Sequence, residues 1–170
     1  MNIRHKKILM LMLLSWEVLS ADSVSVGVTG NIVASPCIFN GGNTQLDINL
    51  GNIEATNMAT PGSSSDPVPF TLSFTQCPVG TRSVMVSFTG TPDPVAGADY
   101  YMNSGSATNV AVAMREAATG TLKGTGSSIT QNIAADRTAT MAMQAAVKSV
   151  SGGATPGSIS AVVVMTMQYN

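Results

Sequence analysis

Apolar and polar residues alternate along most of this chain, the pattern of strands with one face buried. Near the start, Val24, Val26 and Val28 fall on one side of an extended segment, with Ser25, Gly27 and Thr29 on the other. The same alternation runs through Gln45 to Leu50 (Leu46, Ile48, Leu50), Val68 to Phe74 (Val68, Phe70, Leu72, Phe74) and Val84 to Phe88 (Val84, Val86, Phe88). Asn109 to Met114 and Leu122-Lys123 flank Ala118-Thr119-Gly120 and predict a hairpin. Thr138 to Val150 is rich in helix-forming Ala and Met, yet Gly, Ser and Thr on both sides and the strand-rich surroundings predict a strand over Met141 to Val147. The last strand, Ile159 to Tyr169, sets Ala161, Val163, Met165, Met167 and Tyr169 on one face, while Val162 and Val164 begin the other.

Turn signals separate these segments: Gly41-Gly42-Asn43, Pro61-Gly62-Ser63, Pro78-Val79-Gly80 and Thr91-Pro92-Asp93-Pro94. Asn52 to Pro67 has no clear period and reads as loop, with one helical turn near Ile53 to Met58. Short strands with regular turns predict an all-β sandwich, and the length suits one domain.

The first twenty residues read as a secretion signal. Arg4, His5, Lys6 and Lys7 form a positive start, Ile8 to Leu14 an apolar run, and Val18-x-Ser20 a site for cutting before Ala21. That run is too short to span a bilayer. Removing the leader takes with it the chain's one His (His5) and one Trp (Trp16). It also takes three of the eight Lys and Arg and one of the nine acids, leaving five positive and eight negative charges. A net charge of about three negative is no footprint for nucleic acid or an anionic membrane.

Cys37 and Cys77 are the two cysteines. In an exported chain they read as one disulfide, closing a loop of about forty residues and contributing roughly 4 kcal/mol in the chain-entropy account. Catalytic chemistry finds little footing. Without His there is no Ser-His-Asp arrangement, no histidine base and no histidine metal site, and no cofactor is expected. Asp93, Asp99 and Glu116 are isolated acids, unlike the facing pair that glycoside hydrolysis requires. Gly124-Thr125-Gly126 and Gly152-Gly153 lack the lysine of a phosphate loop and read as turns. Tyr100-Tyr101 reads as a loop aromatic pair that could serve as a stacking platform for sugar, which keeps a small secreted carbohydrate-binding module as an alternative to a structural protein.

A terminal alternating strand, a tyrosine (Tyr169) next to the last residue, Gly157 fourteenth from the end, and the placing of Cys37 and Cys77 together resemble the chaperone-usher pilins. Within that family, Gln76-Cys77-Pro78-Val79-Gly80-Thr81, Tyr100-Tyr101-x-Asn103-x-Gly105 and Gly152-Gly153-Ala154-Thr155-x-Gly157 resemble the minor tip adaptor subunits of type 1 fimbriae. The resemblance implies an incomplete immunoglobulin-like β-sandwich lacking its last strand. It implies a signal at 1–20, a donor-strand extension at 21–30 and a pilin domain at 31–170. Val24, Val26, Val28 and Gly30 would then belong to the donor strand. Gly157, Val163, Met165, Met167 and Tyr169 would line an acceptor groove or meet a chaperone. The implied partners are a periplasmic pilus chaperone, an outer-membrane usher and neighbouring subunits, with passage through the periplasm to a surface fimbrium. The opposing reading of Ala21 to Gly30 is an edge strand turning at Gly30-Asn31 to pair with Ile32-Val33.

Overall fold

The computed structural model describes residues 23–32 and 36–170. The expected secretion signal lies outside them, as do Ala21 and Asp22 of the expected extension and Val33 of the Ile32-Val33 segment proposed to pair with it. Two units divide the chain, one ending at Ile32 and one comprising Val33–Asn170. In the first, residues 23–32 lie outside any helix or strand, and Val24, Val26 and Val28 are 85%, 82% and 90% exposed.

The second unit, among the described residues, is built from ten strands in two sheets. They are β1 (Ile38–Phe39), β2 (Ser63–Ser64), β3 (Val68–Thr75), β4 (Ser83–Gly90), β5 (Pro92–Asp93), β6 (Gly97–Met102), β7 (Ala111–Glu116), β8 (Ser128–Asn132), β9 (Ala139–Ser149) and β10 (Val163–Tyr169). One sheet runs β1-β3-β9-β7-β6-β5, with β2 also on β9; the other runs β10-β4-β8. All the ladders are antiparallel. Alternating side chains from both sheets meet in one core: Leu72 and Phe74 of β3, Met141 and Met143 of β9, Val112 and Met114 of β7, Val84, Val86 and Phe88 of β4, and Ile129 of β8. This is an all-β sandwich of the expected class.

β3 and β4 follow the alternation in the sequence, whereas Ala111 to Met114 of β7 are all buried, on both faces of that strand. Ala139–Ser149 is a strand despite its Ala and Met, because the β3 and β7 ladders flank it on both sides. Residues 55–58 form the expected helical turn, of 3-10 type. The hairpin after β7 also forms, closed by Arg115 opposite Leu122, and Lys123 at its base pairs with Glu116 at 3.8 Å and donates to the Ser128 carbonyl at 3.0 Å.

Three expectations need correction. Gln45 to Leu50 makes no ladder among the described residues, although Leu46, Ile48 and Leu50 are half-buried and the residues between them exposed; the alternation marks a face without a described strand beside it. The last strand begins at Val163 rather than Ile159, because residues 158 and 160 spend their backbone groups on 104–107. The Tyr100-Tyr101 pair is not on a loop. It lies in β6, where neighbouring side chains point to opposite faces, so the two rings cannot form one stacking surface. Tyr101 is core, its Oη donating to the Lys123 carbonyl at 2.7 Å.

Burial pushes the Tyr101 hydroxyl up to about 12. A folded value above the unfolded one leaves stability intact below the unfolded value of 10.0 and removes it as pH rises toward about 12. Tyr101→Phe should therefore flatten the alkaline loss of stability over that range. Denaturant unfolding across alkaline pH checks this, and a parallel decline in both proteins would contradict it.

Candidate functional site

The site is an edge. β10 pairs with β4 on one side only, so among the described residues its other edge has no strand partner. Asn170 and Ser83 exchange both backbone hydrogen bonds, at 3.0 and 3.1 Å. Antiparallel pairs alternate between bonded and non-bonded. In this register the N–H and C=O of Val164, Thr166 and Gln168 therefore face β4, and those of Val163, Met165, Met167 and Tyr169 face the open side. The side chains of the same four residues are partly buried against the core. One set of residues thus offers both unpaired backbone and apolar surface.

Across from this edge runs the chain from Pro36 to Ile53, and between them lies a groove. Its first part, about 750 Å3, is bounded by residues 36–39 and 42–47 on one side and Ala161 to Tyr169 on the other. Its second part, about 600 Å3, is bounded by Leu46 to Ile53 and Gly157 to Ala161, with Phe70, Val112, Met114 and Ala145 at its base. The two parts share Leu46, Asp47, Ala161, Val163 and Met165, so they form one trough along β10. Asp47 is the single acid or base in either lining. The trough reaches into the core itself, since Val112, Met114 and Ala145 are core side chains.

Each wall is fixed by identifiable contacts. The Cys37–Cys77 disulfide ties the chain next to β1 to the end of β3. Phe39 packs against Phe74 with ring centroids 5.3 Å apart, and Tyr169 meets the same Phe74 edge-on at 6.5 Å. Burial raises the Tyr169 hydroxyl above its ordinary value.

The far end is held by Asn103. Its Nδ2 donates to the Ala107 carbonyl at 2.8 Å, and its Oδ1 accepts from Gly105 N at 3.0 Å and Ser160 N at 2.8 Å. Ala107 N donates to the Ser158 carbonyl, and Ser104 N to that of Ser160. Such close approach needs glycine. A Cβ on Gly157 would lie 2.4 Å from Ala107 N, and one on Gly105 would lie 2.1 Å from the Ser158 carbonyl oxygen.

The structure brings Val163, Met165, Met167 and Tyr169 together on one groove wall and puts Gly157 at the groove's end rather than on the strand. Val24, Val26, Val28 and Gly30 belong to the separate unit of the chain. Sequence reasoning missed the opposite wall at Phe39 and Leu46, the base at Phe70 and Val112, and the Asn103 tie. Of these, the Leu46, Ile48, Leu50 alternation was the readable signal. Among the described residues no cluster of three or more His, Cys, Asp or Glu could hold a metal ion.

A family model described as "Fimbrial protein" matches residues 26–170. FimG of Escherichia coli (strain K12) is 32% identical over 152 residues, covering 89% of this chain and 88% of FimG. Among solved structures, the P pilus rod subunit PapA aligns with a TM-score of 0.66 at 20% identity, covering 80% of this chain and 100% of PapA. The P pilus adaptor subunit PapF aligns with a TM-score of 0.53 at 20% identity, covering 82% of this chain and 100% of PapF.

Gly157→Ala should cost about 1–3 kcal/mol, since the added methyl meets backbone that cannot swing away. Gly27→Ala, with nothing within 4 Å of the new Cβ, should change domain stability little. Urea unfolding of the two variants compares them, and equal midpoints would remove the close-approach account.

Proposed function

The chain belongs to the fimbrial protein family and is a pilus subunit, and from that premise we propose that it joins its neighbours by strand addition, as a minor adaptor. The observation carrying this reading is the coincidence on β10: the backbone groups of Val163, Met165, Met167 and Tyr169 face the open side, and their side chains line an apolar trough. An added strand supplies both things the edge requires. Its N–H and C=O groups complete the β10 ladder, and its alternate side chains fill the trough. Main-chain bonds give such a joint its affinity, and the pockets give it selectivity.

In this reading residues 1–20 are the export leader, 21–30 the donor strand and 31–170 the pilin domain. The exposed valines at 24, 26 and 28 share the two-residue period of the β10 face, so a strand bearing them can present three apolar side chains to a neighbour's trough. Each buried valine contributes on the order of 1.5–3 kcal/mol, and each net backbone bond about 1 kcal/mol. The joint therefore needs no ion pair, consistent with Asp47 as the one charged residue in the lining. Because the trough's base is the domain's own core, withdrawing the strand exposes that core, and persistence becomes a matter of unfolding rate.

Before assembly the same edge needs cover, which is the role the reading gives to a periplasmic pilus chaperone. An outer-membrane usher is then the place of exchange, and the surface fimbrium the destination. The adaptor role draws on Gln76 to Thr81, Tyr100 to Gly105 and Gly152 to Gly157, which resemble minor tip adaptors, and on the likeness to FimG.

Repeating residues 21–32 after Asn170 through a short flexible linker should give a monomer that unfolds far more slowly than the chain starting at Ala21. Denaturant kinetics and sedimentation read this out. Val26→Asp in the repeated copy should remove about 2–3 kcal/mol of the gain, because an acid must be buried or the strand withheld. A chain without the repeat that is equally monomeric and equally slow to unfold would sink strand addition.

A further inference from the structure

Two Met-x-Met pairs stand in strands, Met141 with Met143 in β9 and Met165 with Met167 in β10. The spacing is the same but the surroundings differ. Met141 and Met143 are 2% and 0% exposed within the core. Met165 and Met167 are only partly buried and line the trough, Met165 along both of its parts. Methionine suits a wall that must fit another strand, because its unbranched, polarisable side chain adapts to irregular space. The same thioether is also a target for two-electron oxidants, with no need for deprotonation. Tyr169 Oη donates to Met167 Sδ at 3.7 Å, a weak bond that engages one of sulfur's two lone pairs and leaves the other free.

We propose that Met165 and Met167 are an oxidation site for small hydroperoxides, open while the trough is unfilled and covered once a strand lies beside β10. The covering rests on the strand-addition reading; the oxidation does not. With hydrogen peroxide, a sulfur lone pair attacks one oxygen, the S–O bond forms and the O–O bond breaks. The departing hydroxide takes the proton from the oxygen now on sulfur and leaves as water. Sulfur loses two electrons to become the sulfoxide, and the peroxide is reduced.

The product changes what the wall can accept. A sulfoxide oxygen is a strong acceptor on a larger, polar group, and an apolar strand entering the trough would bury it without a donor. Oxidation therefore closes the trough to an incoming strand, and an incoming strand protects the sulfurs. Met102, 40% exposed and absent from both linings of the trough, serves as the accessible reference.

Trypsin separates the two pairs, since Thr138–Lys148 carries only Met141 and Met143, and Ser149–Asn170 only Met165 and Met167. The chain starting at Ala21, dilute and with its disulfide intact, is treated with hydrogen peroxide, with and without a saturating synthetic peptide copying residues 21–32. Mass spectrometry follows sulfoxide in each fragment while circular dichroism monitors the fold. Without peptide, sulfoxide should form in Ser149–Asn170 about tenfold faster than in Thr138–Lys148, and bound peptide should bring the rate down to that of the core pair. Oxidised protein should bind labelled peptide about tenfold more weakly, whereas a Met165→Leu, Met167→Leu double variant should bind it equally before and after peroxide. Equal rates in the two fragments of a folded chain, or unchanged binding after both sulfurs carry oxygen, overturn the proposal. A peptide that never binds the unoxidised protein refutes strand addition by this valine pattern, and the relative rates still decide the oxidation site.

Discussion

A β-strand with one edge unpaired and one face over an open core is under two demands at once. Its backbone polar groups need partners, and its apolar side chains need to leave water. In most sheets these needs are met by different neighbours. Along β10 they fall on the same four residues and the same side, because the register with β4 turns the N–H and C=O of Val163, Met165, Met167 and Tyr169 outward. One strand added there would satisfy both at once.

Contacts elsewhere in the domain fix the trough at both ends. The disulfide and the Phe39, Phe74, Tyr169 stack hold one end, while Asn103 and the close backbone approach at Gly105 and Gly157 hold the other. These contacts stand on different principles, a covalent tie, aromatic packing and a hydrogen-bonded backbone crossing, and none reaches into the trough to close it. The segment from Thr44 to Ile53 is the most telling part. It turns Leu46, Ile48 and Leu50 inward, as a strand would, yet among the described residues it has no ladder. It stands across the trough from β10 with room for something between.

Membership of the fimbrial family gives this geometry its setting. In the proposed reading, a subunit completed by its neighbour links assembly to folding, and the nearly uncharged lining leaves salt little charge to screen at the joint. The same lining brings two thioethers to an accessible wall, a chemical exposure that a self-sufficient sandwich would have buried, as it buries Met141 and Met143.

Much of the fold was written in the alternation of side chains. The strands β3 and β4 and the inward face of β10 follow from alternation, because a half-buried strand must alternate whatever it pairs with, while the all-β class and the hairpin after β7 follow from the succession of short strands and turns. Partners are another matter. β6 and β8 were missed because their polar, short stretches carry little alternation, and Tyr101 was taken for a loop residue for the same reason. That Gln45 to Leu50 remains unladdered, that Ser158 and Ser160 bond to the 104–107 loop, and that Asn103 ties the trough's end depend on which segments lie side by side across more than fifty residues of chain. The residue sequence by itself determined which faces are apolar. Only the tertiary structure decided which edge stays open, because side-chain period is a property of one strand, whereas an unpaired hydrogen-bonding edge is a property of all its possible neighbours.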